Sequence, residues 1–173
     1  FKNASITKLY VAVATTKLVK SGRLFLDKTL ADYFPELVGR IENADIITLR
    51  MMLQHWSGIP NFVDHPDYWS KPPKNKQETL DYALDLPADF EPGKEYGYSN
   101  TNYMLISDLI DKVVGYPHQQ YIKEEILIPL GLKNTKSVLS FKMRPLRRRQ
   151  HSPSPFPSRS PFFFFPSRLV AVH

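Results

Sequence analysis

Two short spacings in this 173-residue chain could carry chemistry. Ser5-Ile6-Thr7-Lys8 sets a hydroxyl and an amine three residues apart, on one face of a helix and within hydrogen-bonding reach. A serine is a weak nucleophile until a neighbouring base takes its proton. Lys8, flanked by Ile6, Leu9, Tyr10, Val11 and Val13, is the base this spacing offers, because an apolar setting favours an uncharged amine. A serine at a helix start also lies beside unpaired amide N–H groups and the positive end of the dipole, where an oxyanion would be held. Tyr98-Ser99-Asn100 is the second spacing. Its phenol could act as acid or base toward the serine, and its carboxamide could hold a substrate amide or the lysine. Neither spacing exceeds what this composition gives by chance. Taken alone, Asn100 reads better as a helix cap with Tyr98 packed beside it.

The element that must carry Ser5 and Lys8 is a long helix. Asn3 is placed to cap it, and Ile6, Leu9, Tyr10, Val13, Ala14 and Leu18 recur at helical spacing. Val11, Ala12 and Val19 fill much of the remaining circumference, which predicts burial on most sides, and Gly22 supplies a left-handed end. Tyr98 and Asn100 sit at the start of a second long helix through Val114. Ser99 or Asn100 is its cap, Tyr103, Ile106, Leu109, Ile110 and Val113 share one side, and Gly115 follows the end. Pro117 suits the first turn of a further helix running to about Ile128. Shorter helices are predicted over 30–34, 48–54 and 78–86, the last stopped by Pro87, while 65–76 holds three Pro and reads as a surface loop. Strand patterns are nearly absent.

Composition narrows the function classes. With no cysteine, the chain has no disulfide scaffold, no thiolate-bound zinc and no cysteine nucleophile. No apolar run approaches the ~20 residues of a membrane-spanning helix. The net charge of +6 is local: the last 33 residues hold six Arg, one Lys and no acid, so removing their +7 leaves residues 1–140 at −1. The body therefore gives no reason to expect a nucleic-acid partner. The same residues are dominated by Pro, Arg, Ser and Phe and have no period, which divides the chain into a foldable body over 1–140 and a low-complexity tail over 141–173. Arg147-Arg148-Arg149 with Phe162–Phe165 could meet RNA or a membrane surface, but the composition favours a disordered or non-native translated segment. His-Glu-x-x-His, Gly-x-Ser-x-Gly and phosphate-cradling glycine loops are absent. Asp64, His65 and Asp67 lie in Pro-rich context that reads as a solvated loop, and His55 as a packed or hydrogen-bonded histidine, so no metal and no cofactor are expected.

The order of these pieces resembles the serine β-lactamase-like hydrolases, a family that includes class C β-lactamases, D-Ala-D-Ala carboxypeptidases and related esterases. Ala4-Ser5-Ile6-Thr7-Lys8 is followed by Leu18-Val19, Gly22-Arg23-Leu24, Leu26-Asp27-Lys28 and Leu30 to Pro35. Ile47-Thr48-Leu49-Arg50 to His55-Trp56-Ser57-Gly58-Ile59-Pro60 is similar to the family's Leu-Leu-x-His-Thr-Ser-Gly-Leu-Pro stretch, with Trp56 where Thr is usual. The most specific piece runs from Phe90-Glu91-Pro92-Gly93 to Tyr96-Gly97-Tyr98-Ser99-Asn100-Thr101-Asn102-Tyr103. Ile128-Pro129-Leu130-Gly131-Leu132 through Asn134-Thr135 resembles its Pro-Leu-Gly-Met-x-x-Thr.

The resemblance implies a fold class, the helical, mostly α part of an α+β β-lactamase/DD-peptidase-like fold, with most of the antiparallel sheet missing. It implies Ser5 as acylated nucleophile, Lys8 as its proton partner, Tyr98 as a further catalytic group and Asn100 as a substrate-binding residue. The substrate would be a β-lactam, a D-Ala-D-Ala peptide or an ester, and the working place periplasmic or extracellular. The family's third motif, Lys-Thr-Gly or His-x-Gly on a sheet strand that supplies the second oxyanion donor, does not follow Asn100. That departure implies a chain truncated at both ends, the tail being a truncated or frame-shifted reading, and impaired activity. The rival expectation is a non-catalytic helical module whose basic, Pro-rich tail binds a partner.

Overall fold

The structure, a computed structural model, describes residues 5–135. The tail over 141–173 and the Asn3 cap lie outside the described residues. Six helices follow in order: α1 (Thr7–Lys20), α2 (Leu30–Tyr33), α3 (Leu49–Gln54), α4 (Lys76–Asp81), α5 (Asn100–Val114) and α6 (His118–Ile122), the last continuing into a π turn over Lys123–Leu127. No strand forms among the described residues; the extended contacts are two isolated bridges, Thr29 with Thr48 and Val38 with Ile41. The mostly helical expectation holds.

The core grows around α5, which packs against α1, α3 and α6. Its Leu105, Ile106, Leu109 and Ile110 are fully buried, as the 3.6-residue period requires, and meet Leu18 of α1 and Leu49 and Met52 of α3 in one cluster. Each such side chain contributes about 1.5–3 kcal/mol by leaving water. Thr29 caps α2 through a reciprocal pair with Asp32, and Thr48 caps α3 by accepting from the Met51 amide. The Thr29–Thr48 bridge, with Leu30 N donating to Ile47 O at 2.7 Å, ties the two starts together.

Three sequence expectations are corrected. The first long helix is buried on one side only: Val11, Ala14, Thr15 and Leu18 face the core, whereas Ile6, Leu9 and Val13 stay about half or more exposed. The described neighbours α5, α6 and the π turn all lie on the first face, so apolar residues round the circumference do not all find partners. The helix expected over 78–86 forms instead at Lys76–Asp81. Asn75 caps it by accepting from Glu78 N, and the chain then unwinds; Asp85, at φ 58°, donates its amide N–H to Arg40 O while its carboxylate accepts from the Arg40 guanidinium. Pro117 stands at the cap of α6 rather than in its first turn. Gly22 ends α1 at φ 72° as expected.

Candidate active site

Packing of α1 on α5 brings the two spacings together across more than ninety residues of chain. Ser5 lies in the turn just before α1, and its Oγ is 2.9 Å from the Tyr98 hydroxyl. Lys8, in the first turn of α1, donates from Nζ to Asn100 Oδ1 at 2.7 Å. Tyr98 OH also points toward Asn100 Oδ1, at 3.4 Å. All four residues expected to form a site therefore meet. The pairing is not the one the spacing suggested: Ser5 and Lys8 each bond across to the other segment. Ser5 stands in the turn ahead of Thr7, the first helical residue.

Lys8 is half-buried, with Nζ 4.9 Å from the centre of the Tyr98 ring and 5.7 Å from that of Tyr103. Partial burial pushes the Tyr98 phenol up, but hydrogen bonding toward Lys8 and Ser5 and the Lys8 charge outweigh it, leaving the pKa below its ordinary 10.0. The phenol beside the serine is thus more readily ionised than a free tyrosine. The His55 imidazole is pushed below its ordinary value by burial and then by Lys8.

The direction of the Asn100 carboxamide is fixed by a chain of donors and acceptors that begins at Asp64. A carboxylate can only accept, so Asn61 turns its Nδ2 to Asp64 Oδ2 at 2.9 Å. The Asn61 oxygen then faces Asn100, accepting from its backbone N at 3.0 Å and its Nδ2 at 3.1 Å. With its own NH₂ committed, Asn100 has only its oxygen left for Lys8. Ser99 occupies the cap position of α5 without a capping side-chain bond, and Thr101 completes the junction by donating to Pro60 O at 2.7 Å and accepting from Phe62 N.

Below the site, Ser57 Oγ donates to the fully buried Asn102 at 2.8 Å and accepts from Ile59 N. Gly58 is required between them. It sits at φ 71°, and a Cβ there would fall 2.1 Å from the Phe90 carbonyl oxygen. Sequence reasoning missed Asn61, Ser57 and Asn102 as supports. The Pro60-Asn61 turn signal was present, but a turn asparagine does not announce which residue 39 positions away it will hold. His55 is packed and hydrogen-bonded, as read from sequence. The half-exposed Trp56 side chain belongs to the loop, whose backbone bonds to Met51 and Gly93. His65 accepts from Asp67 N and packs beside Tyr82, and no group of three or more His, Asp and Glu side chains able to hold a metal converges among the described residues.

Known proteins share this arrangement of elements. A protein of Escherichia coli K12 provisionally named as a D-alanyl-D-alanine carboxypeptidase is 31% identical over 140 residues, covering 76% of this chain and 32% of the relative. The crystal structure of a D-stereospecific amidohydrolase from a Streptomyces species superposes with a TM-score of 0.66 at 30% identity, over 74% of this chain and 41% of that one. A D-amino acid amidase from Ochrobactrum anthropi SV3 gives 0.66 at 31%, over 76% and 39%. The chain spans about a third of the length of the curated relatives it matches. The fold is thus the helical portion of a β-lactamase/penicillin-binding-protein-like architecture. The family model described as β-lactamase matches residues 1–161, and the chain belongs to the β-lactamase family.

Proposed function

We propose that the protein is a serine hydrolase acting through an acyl-enzyme on Ser5. The observation that carries this reading is the 2.9 Å contact between Ser5 Oγ and a Tyr98 hydroxyl whose ionised form is favoured by Lys8. In the proposed step the ionised phenol takes the serine proton as Oγ bonds to the substrate carbonyl carbon. Tyr98 then delivers that proton to the leaving nitrogen or oxygen as its bond to the carbonyl breaks. Lys8, held by Asn100, keeps the phenol charged and shares the proton traffic. Asn100 also borders the place a substrate amide would take. Water then cleaves the ester on Ser5 and regenerates the enzyme. The positive end of α1 lies beside Ser5, where a developing oxyanion would gain from it.

For substrate, the reading is an amide, β-lactam or ester carbonyl in a D-configured compound, such as a D-Ala-D-Ala peptide. The relatives' names, which specify D-amino acid amides and D-alanyl-D-alanine, support it. A wall peptide of that kind would be met in the periplasm or outside the cell. Among the described residues no helix is long and apolar enough to cross a membrane. A non-catalytic helical module has no use for a hydroxyl, phenol, amine and carboxamide converged and fixed in this way.

Covalent labelling with a fluorescent penicillin, followed by peptide mass mapping, tests the reading. The expected result is one adduct on Ser5 that disappears in Ser5→Ala. Labelling that survives Ser5→Ala, with the adduct mapped to another residue, refutes it.

A further inference from the structure

His55 has no part in the proton transfers above, yet it touches the segment that carries Tyr98 on both sides of that residue. It ends α3 in the left-handed region at φ 61° and is buried, with 8% of its surface exposed. Its backbone oxygen accepts from Gly97 N at 2.9 Å, and its ring Nδ1 accepts from Ser99 N at 3.2 Å. The ring packs against Tyr98 at 4.7 Å between centroids, against Tyr103 at 5.1 Å and against Tyr96 at 6.0 Å. One residue thus clips positions 97 and 99 and supports the ring of 98.

The Ser99 N–H can only donate, so the imidazole must present a bare Nδ1 and carry its proton on Nε2. A protonated ring would set an N–H against an N–H. We propose that His55 is a positioning residue for the Ser5 site: in its neutral form it fixes the Tyr98 hydroxyl against Ser5, and on protonation it releases the 97–99 segment. This deepens the hydrolase reading and, for its catalytic consequence, rests on it. The titratable groups facing the ring are Lys8 from α1, Tyr96 and Tyr98 from the segment ahead of α5, and Tyr103 from α5. Burial, and after it the Lys8 charge, opposes a positive charge on the ring. The clamp therefore stays closed through neutral pH and opens only as the solution becomes acidic.

Two measurements on the 173-residue chain test it. The first is NMR titration of the His55 imidazole nitrogens and the Gly97 and Ser99 amides. The neutral ring should show the Nε2–H tautomer, and the Ser99 amide should shift and lose hydrogen-exchange protection at the same midpoint as His55. A Ser99 amide indifferent to that titration overturns the clamp, and this arm decides it whatever the labelling does. The second is the pH profile of penicillin labelling. In His55→Asn the side-chain oxygen can replace Nδ1 and the residue tolerates the left-handed backbone, but it cannot titrate. Its labelling at neutral pH should stay close to wild type while the acid fall-off due to His55 disappears. His55→Phe keeps a ring but no acceptor and should label about five- to tenfold more slowly at neutral pH, the weight of one buried hydrogen bond. An acid limb identical in wild type and His55→Asn overturns the role in acylation. Absence of any Ser5 adduct refutes the hydrolase reading instead, with the NMR result still deciding the clamp.

Discussion

Asn61 offers a quantitative test of how the site is held, because its one oxygen serves two different bonds to the same neighbour. Asn61→Ala removes the acceptor of the Asn100 backbone N–H at 3.0 Å and of Asn100 Nδ2 at 3.1 Å. A neutral hydrogen bond contributes about 1 kcal/mol net, and the exposed bond from Asn61 Nδ2 to Asp64 is lost as well, so the variant should lose about 2–3 kcal/mol. Asn100→Ala removes only the Nδ2 bond from this pair, since its backbone N–H still reaches Asn61. A double-mutant cycle should therefore return a coupling of about 1 kcal/mol, clearly less than the loss seen on Asn61→Ala alone. Urea unfolding followed by aromatic fluorescence measures all four corners. Labelling tests the same geometry differently. Once Asn61 is gone, the Asn100 carboxamide can turn over and present NH₂ to Lys8. That turn would forfeit a bond to a charged group worth about 1.5–3 kcal/mol, so Lys8 keeps the turned form a minority and Ser5 labelling should slow by about five- to tenfold, the weight of one lost support. A coupling indistinguishable from zero, with labelling within about threefold of wild type, would refute the argument that the Asp64–Asn61–Asn100 chain sets the direction of the amide.

Three further outcomes follow from the geometry. Labelling should rise with pH through the Tyr98 ionisation, which lies below 10.0, and Tyr98→Phe should remove that rise and slow the reaction about 100- to 10,000-fold; an unchanged profile in the variant would exclude the phenol as base. Gly22→Ala meets open space and should lower stability by about 1–2 kcal/mol from left-handed strain alone, whereas Gly58→Ala must also displace the Phe90 carbonyl and should cost about 3 kcal/mol or more, so equal urea midpoints would contradict the clash. Asp32 is held below its ordinary 3.8 by the Thr29 backbone and side chain, so the stability it contributes is present above that value and fades as pH falls through the lower folded one; unfolding midpoints of wild type and Asp32→Asn should converge only in strong acid.

The elements carrying the site were legible because their signals are local. The apolar period of α5 and the caps at Thr48 and Gly115 each depend on neighbours within a few residues, and they stand where the sequence predicts. The α4 boundaries were not local. Asn75 competes with later starts, and Asp85 leaves the helix because Arg40, 45 residues earlier in the chain, takes its carboxylate. The one-sided burial of α1 was hidden for a related reason. Periodicity reports which faces are apolar, but only the packed neighbours determine which of them leave water.

The site divides along the same line. Short spacings alone do not exceed chance, but Ser5, Lys8, Tyr98 and Asn100 could be picked out because their side chains carry the chemistry and they stand in order among segments that resemble the family's. Who bonds to whom could not, because those contacts join segments that are distant in sequence. A hydroxyl and an amine at i and i+3 would pair if both stood on a helix. Here the helix begins at Thr7, and the nearest acceptor for Lys8 and the nearest partner for Ser5 are delivered by the start of α5. The supports are less visible still. Asn61 and His55 act through an amide oxygen and a ring nitrogen aimed at backbone N–H groups, which every residue but proline possesses, so nothing in the identity of Ser99 or Asn100 marks them as the targets. A variant scan restricted to the four chemical groups would consequently miss the residues that fix their directions. The sharper probe is substitution at 55 and 61, which touches none of the four proposed groups and reads how they are held.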